Sequence, residues 1–201
     1  TPVSVLPIFT RRKDNGGVNL KKKYPDYDFY ILMVSRLTKE KNIPLALKAF
    51  AELIKKYPKI LLVIVGDGPL VRYIEPDNNI KFESWQENLS GYYHSADCFL
   101  LTSNYEGYGM AVVEALSYGL PVVMTDVGVA GEIVKNGENG FVAPVENKEA
   151  LVLALEKLYK DPFLRERLSG AAWNIKTQTE DEYLKLYVES LKACAKNRKT
   201  K

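Results

Sequence analysis

The sequence predicts an α/β protein built as a Rossmann-like parallel sheet with helices on both faces. Three observations carry that reading. Short apolar runs alternate along the chain with segments whose apolar residues recur at helical spacing. The runs are continuously apolar instead of alternating, as strands buried on both faces are. Polar or glycine-bearing loops follow the runs, where an open α/β sheet places its ligands.

The elements follow in order. Residues 1–28 are polar and basic, punctuated by Gly16, Gly17 and Pro25, and read as a short strand and a linker. Tyr30 to Val34 is the first buried strand. Asn42 to Tyr57 carries apolar residues at 43, 47, 50, 53, 54 and 57, a helical spacing, with Asn42 as N-cap and Pro44 in the first turn. Leu61 to Val65 is the second strand, ended by Gly66-Asp67-Gly68-Pro69, and Ile80 to Glu83 the third. A helix over Glu87 to Ala96 precedes the fourth strand, Asp97 to Thr102. A helix over Gly109 to Tyr118 leads to the fifth strand, Pro121 to Thr125. A short helix around Ala130 to Lys135 comes before the sixth strand, Gly140 to Ala143. Helices over Glu149 to Lys160, Pro162 to Thr177 and Glu180 to Lys196 end the chain. The expected organisation is a strand and linker over 1–28, one Rossmann-like domain over 29–178, and a C-terminal helix with a basic tail over 179–201.

Composition narrows the function classes. The 201 residues suffice for one domain with a full core, and the 46% apolar and 26% charged content is that of a soluble globular protein. No run approaches the roughly 18 apolar residues of a membrane span. The opening residues lack the basic and apolar regions of a signal peptide. There is no initiator Met, so the chain is expected to be a piece of something longer. A net charge of +3 is too small to argue for nucleic-acid binding. The basic clusters at 11–13, 21–23 and 196–201 read as solvated termini and linkers. Cys98 and Cys194 show no disulfide or metal spacing and read as free thiols in a reducing compartment. His94 is the single histidine, which excludes a multi-histidine metal site, and reads as structural or surface.

The candidate site lies in the loops after the strands. Arg36 and Lys41 precede a helix N-terminus, where fixed cations, free amides and the helix dipole suit a diphosphate; the plain alternative is ordinary loop charges. Gly66 and Gly68 permit a tight turn and close approach by a ligand or another backbone, but Val71 stands where a dinucleotide fingerprint needs glycine. Gly107 and Gly109 leave the backbone bare where a helix begins, and the amides of Gly109, Met110 and Ala111 point to the strand ends. Glu114 lies one turn further, roughly 6 Å from Met110 along the axis, on an otherwise apolar helix. A buried carboxylate there needs a partner: a ribose diol, or a lysine or backbone amide of the core. Glu106 remains in the loop, within reach of a sugar. Gly128 is a weaker candidate for a loop opening toward the ligand. Trp85 reads first as a core side chain and second as a neighbour of a base.

These motifs together resemble the group 1, or family 4, retaining glycosyltransferases, whose GT-B fold faces two Rossmann-like domains. Glu106 and Glu114 match the family's E-x7-E pair, 107–110 its loop before the helix, Arg36 and Lys41 its diphosphate-binding pair, and 66–69 and 119–123 two further signatures. The resemblance covers nearly all of residues 30–175. It implies one half of a GT-B enzyme, the C-terminal domain that holds a nucleotide-diphosphate sugar, UDP- or GDP-linked. Arg36 and Lys41 would grip the diphosphate and stabilise the leaving group without a metal or other cofactor. Amides and side chains near Tyr108 to Ala111 would support phosphate and sugar, Glu114 would hold the ribose, and Glu106 would approach the transferred sugar. Asn42 departs from the pattern, standing where the family often has glycine, and the family's Asn-Gly linker is missing from the opening segment.

The implied activity is transfer of a hexosyl-type sugar, with retention, to an acceptor hydroxyl. The acceptor-binding N-terminal domain would be the partner, and its absence predicts donor binding with little transfer. The expected location is the cytoplasm, at the cytoplasmic face of a membrane if the other half associates with one. Two rival readings are a non-catalytic nucleotide-binding module and a sugar-nucleotide epimerase of the same architecture. Nucleic-acid binding through the basic termini ranks last.

Overall fold

The computed structural model describes residues 16–75, 77–175 and 180–198, with backbone alone at 73, 180 and 193–198. The basic stretch at 11–13, the start of the expected N-terminal linker, Thr177, the Cys194 side chain and the end of the basic tail lie outside the described residues. Among the described residues no helix is long and apolar enough to cross a membrane.

Six strands form one parallel sheet: β1 (Phe29–Val34), β2 (Ile60–Val65), β3 (Ile80–Glu83), β4 (Cys98–Leu101), β5 (Val122–Thr125) and β6 (Gly140–Ala143). Their spatial order is β3-β2-β1-β4-β5-β6, with every pairing parallel. The chain runs outward from β1 to β3, then returns to start β4 on the other side of β1. The carboxyl ends of β1 and β4 therefore flank a topological switch point, where the diverging loops leave a crevice.

Alternation along the strands shows why their sequences are apolar throughout. Ile31, Met33, Leu62, Ile64 and Leu100 face one core layer. There they meet α2 (Ile43–Lys56), α5 (Lys148–Lys160) and Leu168 of α6 (Pro162–Trp173). Tyr30, Leu32, Leu61, Val63 and Phe99 face the other layer, against α3 (Ser90–Ser95) and α4 (Met110–Ser117). With both faces covered, each strand position loses apolar area to a helix, about 25 cal/mol per Å². Local chemistry fixes the helix starts: the side chains of Asn42, Asn147 and Asp161 accept from the amides of Leu45, Ala150 and Leu164.

Two expectations are corrected. The segment before β1, read as strand and linker, contains a helical turn, α1 (Leu20–Lys23), whose Leu20 is fully buried and whose amide donates to Ser95 Oγ at 2.9 Å. Lys23, Tyr24 and Tyr92 all bond Glu83 at the end of β3, clasping this segment to the sheet. The helix expected around Ala130 to Lys135 does not form. Ile133 N bonds Val129 O at 2.9 Å, but Val134 N bonds the same carbonyl and Lys135 N turns to Asn139 Oδ1. A single turn thus fails to propagate, because a side chain captures the amide that would continue it.

The last helix, α7 (Glu180–Arg198), leaves Leu184, Tyr187, Val188 and Leu191 exposed.

Candidate functional site

The loops after β1 and β4 are stitched together before any side chain reaches into the crevice between them. Thr102 Oγ1 lies 3.0 Å from the Lys41 carbonyl and 3.1 Å from that of Asn42. Asn104 N donates to Glu40 O at 2.8 Å, and Asn42 Nδ2 to Asn104 Oδ1 at 2.8 Å. Asn42 takes the left-handed conformation (φ 45°, ψ 49°), one that asparagine adopts more readily than most residues. Position 42 thereby turns the chain, caps α2 and joins the two loops.

The Gly66 to Pro69 turn backs the loop after β1 from the other side. Leu37, fully buried, donates its amide to Asp67 O and accepts from Leu70 N. A Cβ at Gly66 would sit 1.9 Å from the Ser35 carbonyl oxygen. Gly66 is thus required by another backbone and does not line the crevice. Its contribution to the site is indirect: it lets β2 support the Ser35–Arg36 peptide.

A cavity of about 370 Å³ opens at this point, with Arg36, Lys41, Glu106 and Tyr108 in its wall together with Gly109, Met110 and Ala111. Gly109 caps α4 in the left-handed conformation, and the amides of Met110 and Ala111, in the first turn, have no carbonyl within the helix to bond. Arg36 is exposed at the rim. Lys41 Nζ lies 2.6 Å from Glu106 Oε1, in a pair whose side chains are 13% and 10% exposed. Ser103 Oγ donates to the same oxygen at 2.7 Å, and Thr125 Oγ1 holds the Ser103 carbonyl at 2.6 Å. Among the described residues, the Lys41 and Ser103 contacts with Glu106 both fall on Oε1. Gly107 is exposed, with open space around it.

Glu114 stands one turn further along α4, half-buried and outside the wall of the cavity, which α4 enters only with Met110 and Ala111. Its Oε2 accepts from the Tyr93 hydroxyl at 3.0 Å, a protein partner that neither the ribose reading nor its lysine or backbone-amide alternative named. Burial pushes its carboxyl above the usual range, and the Tyr93 hydrogen bond pulls the other way. The expectation for Trp85 is also corrected: it is 68% exposed beyond the end of β3, outside both core layers and outside the wall of the cavity. Gly128 lets the β5 loop pack on the loop after β4, since a Cβ there would meet Tyr108 O at 2.4 Å.

Sequence reasoning missed Ser103, Thr102, Tyr93 and Ser35. Ser35 Oγ is buried without a partner among the described residues, in the cavity wall. The run Thr102-Ser103, two hydroxyls closing an apolar strand, was the signal available for the first pair. Tyr93 had none, because its contact joins two helices 21 residues apart. Among the described residues no group of three or more His, Cys, Asp or Glu could hold a metal ion.

Comparison with known proteins gives a consistent result. The family described as "Glycosyl transferases group 1" matches residues 19–174. Poly(glycerol-phosphate) alpha-glucosyltransferase of Bacillus subtilis is 31% identical over 159 residues, covering 75% of this chain and 24% of that protein. The C-terminal domain of a group 1 glycosyl transferase, LpcC, from Francisella tularensis superposes with a TM-score of 0.69 at 21% identity, covering 79% of this chain and 91% of that one. The pneumococcal O-GlcNAc transferase GtfA, solved with UDP and GlcNAc, superposes with a TM-score of 0.73 at 27% identity, covering 82% of this chain and 35% of that one. The chain spans less than half the length of the first curated relatives it matches.

Proposed function

The chain belongs to the group 1 glycosyl transferases, and we propose that it is the donor-binding half of a retaining hexosyltransferase that uses a nucleotide-diphosphate sugar, UDP- or GDP-linked. The observation that carries the proposal is the shared wall of one cavity: Arg36, Lys41, Glu106 and the first turn of α4 converge at the switch point of the sheet. Two cations and a helix N-terminus make a site for a diphosphate. A carboxylate beside them suits a sugar hydroxyl, and Glu114, one turn further along α4 and next to the cavity wall, suits a ribose diol.

In this reading Arg36 and Lys41 neutralise the charge that grows on the diphosphate as the glycosidic bond breaks, while the amides of Met110 and Ala111 bond phosphate oxygens. That stabilisation is preorganised and acts on the leaving group without a metal. Glu106 orients the sugar through Oε2, its other oxygen being held by Lys41 and Ser103. The acceptor is met by the other half of the protein, so this chain alone is expected to bind donor without efficient transfer.

Titration calorimetry with UDP, GDP and their glucose conjugates tests the proposal. We expect one base series to bind and Arg36→Ala to weaken it by about tenfold or more, the loss of a charge-assisted contact. If no nucleoside diphosphate binds, or Arg36→Ala binds as well as the parent, the site is misplaced. Robust transfer by the 201-residue chain would overturn the assignment of the acceptor to another domain.

A further inference from the structure

We propose that Tyr93 is a positioning residue for the donor, holding Glu114 Oε2 so that the other carboxylate oxygen is presented to the ribose diol of a nucleoside diphosphate. This inference rests on the reading of Glu114 given above and extends it to a residue on another helix.

The geometry is specific. Tyr93 comes from α3 and is 2% exposed, yet its hydroxyl reaches 3.0 Å to Glu114 on α4. Its ring is fixed independently of that bond. It stacks on Tyr118 with centroids 5.2 Å apart and planes 15° from parallel, and it lies against Phe99 at 6.1 Å. A phenol held on two sides keeps its oxygen in place, so the hydrogen bond to Glu114 Oε2 anchors one carboxylate oxygen.

The chemistry requires such a holder. Around Glu114, α4 is apolar: Val112, Val113, Ala115 and Leu116 are all buried. A carboxylate in that setting tends toward its neutral form, which accepts hydrogen bonds weakly and has one oxygen carrying a proton. A ribose diol offers two hydroxyl donors and is bound best by an ionised carboxylate of fixed orientation. A donated phenolic hydrogen bond supports the ionised form and leaves the remaining lone pairs for the ligand. Packing alone does not account for the hydroxyl, since a phenylalanine ring would fill the same space.

The test compares UDP and GDP with their 2′,3′-dideoxy counterparts by calorimetry, on the parent chain, Tyr93→Phe and Glu114→Gln. The parent is expected to prefer the ribonucleotide of the bound base by about tenfold or more, the value of hydrogen bonds to a charged group. Glu114→Gln should abolish most of that preference. Tyr93→Phe should reduce it to about threefold or less, while affinity for the 2′,3′-dideoxy ligand stays at the parent value. That unchanged affinity serves as the internal check that the variant site is folded. A Tyr93→Phe chain that keeps the parent preference overturns the proposal and leaves the donor site standing. So does one whose affinities for both ligands fall equally, the mark of a structural role. If Glu114→Gln also keeps the preference, the ribose reading itself has failed and Tyr93 falls with it.

Discussion

Lys41 and Glu106 pair within the wall of the cavity, Nζ to Oε1, although they stand 65 residues apart on loops from different strands. The pair makes the site a stability element as well as a binding element. Lys41→Met should leave a largely enclosed carboxylate without its counterion and cost about 2 kcal/mol in urea denaturation. Adding Glu106→Gln should recover most of that loss without restoring nucleoside-diphosphate affinity. Equal stability for the single and double variants would show that the pair contributes nothing to folding.

Glu114 carries the opposite sign. Burial raises its carboxyl above 4.5, so folding favours the protonated form. The stability it permits is full below the unfolded value and is lost as pH rises through the elevated folded one. At neutral pH, Glu114→Gln should therefore raise Tm by a few degrees while weakening nucleotide binding. At pH 4 the two proteins should melt closer together. A Tm that falls at neutral pH would contradict this account.

Gly128 supports the site from behind. An added Cβ would lie 2.9 Å from Glu106 Cβ as well as against the Tyr108 carbonyl, at a backbone φ of +56°. Gly128→Ala should push the loop after β4 toward the cavity, lowering donor affinity by about tenfold and stability by about 1–3 kcal/mol. Calorimetry showing parent-like affinity would mean that the loop yields without moving Glu106.

Far from the site, Glu156 joins α5 to α2. Lys160 at 2.7 Å and the Tyr57 hydroxyl at 2.6 Å hold its carboxyl down to about 2. This stabilisation is present above the ordinary value of 4.5 and is lost as pH falls from there toward about 2. Glu156→Gln should flatten the acid limb of a Tm-against-pH profile over that window and leave the profile below it unchanged. An acid limb identical to the parent's would assign the pH dependence to other carboxylates.

The six strands were legible because a parallel sheet covered on both faces demands unbroken apolar runs, and such runs stand out against polar loops. The cavity wall was legible for a related reason. Arg36, Lys41, Glu106 and the Gly109 to Ala111 turn all follow strands within about ten residues, so topology brings them to the same end of the sheet. What escaped depends on contacts between distant segments. Leu20 is buried by α3, and Tyr93 meets Glu114 across two helices. Trp85 misled because a large aromatic near a strand suggests a core position, whereas β3 is a short edge strand and the chain leaves it into solvent. The missing turn at 130–135 hinged on one asparagine side chain, which periodicity does not register.

Asn42 has a bearing on how this sequence can drift. Its backbone requires a residue at ease with positive φ, its carbonyl and side-chain oxygens serve Leu45, and its amide nitrogen reaches Asn104. Glycine would keep the positive φ and the carbonyl but lose both side-chain contacts, and aspartate would keep the cap while adding negative charge beside a site meant for an anion. Most other residues would lose the side-chain contacts and add strain of order 1 kcal/mol or more. Asparagine is thus the side chain that both caps α2 and ties the loop after β1 to the loop after β4.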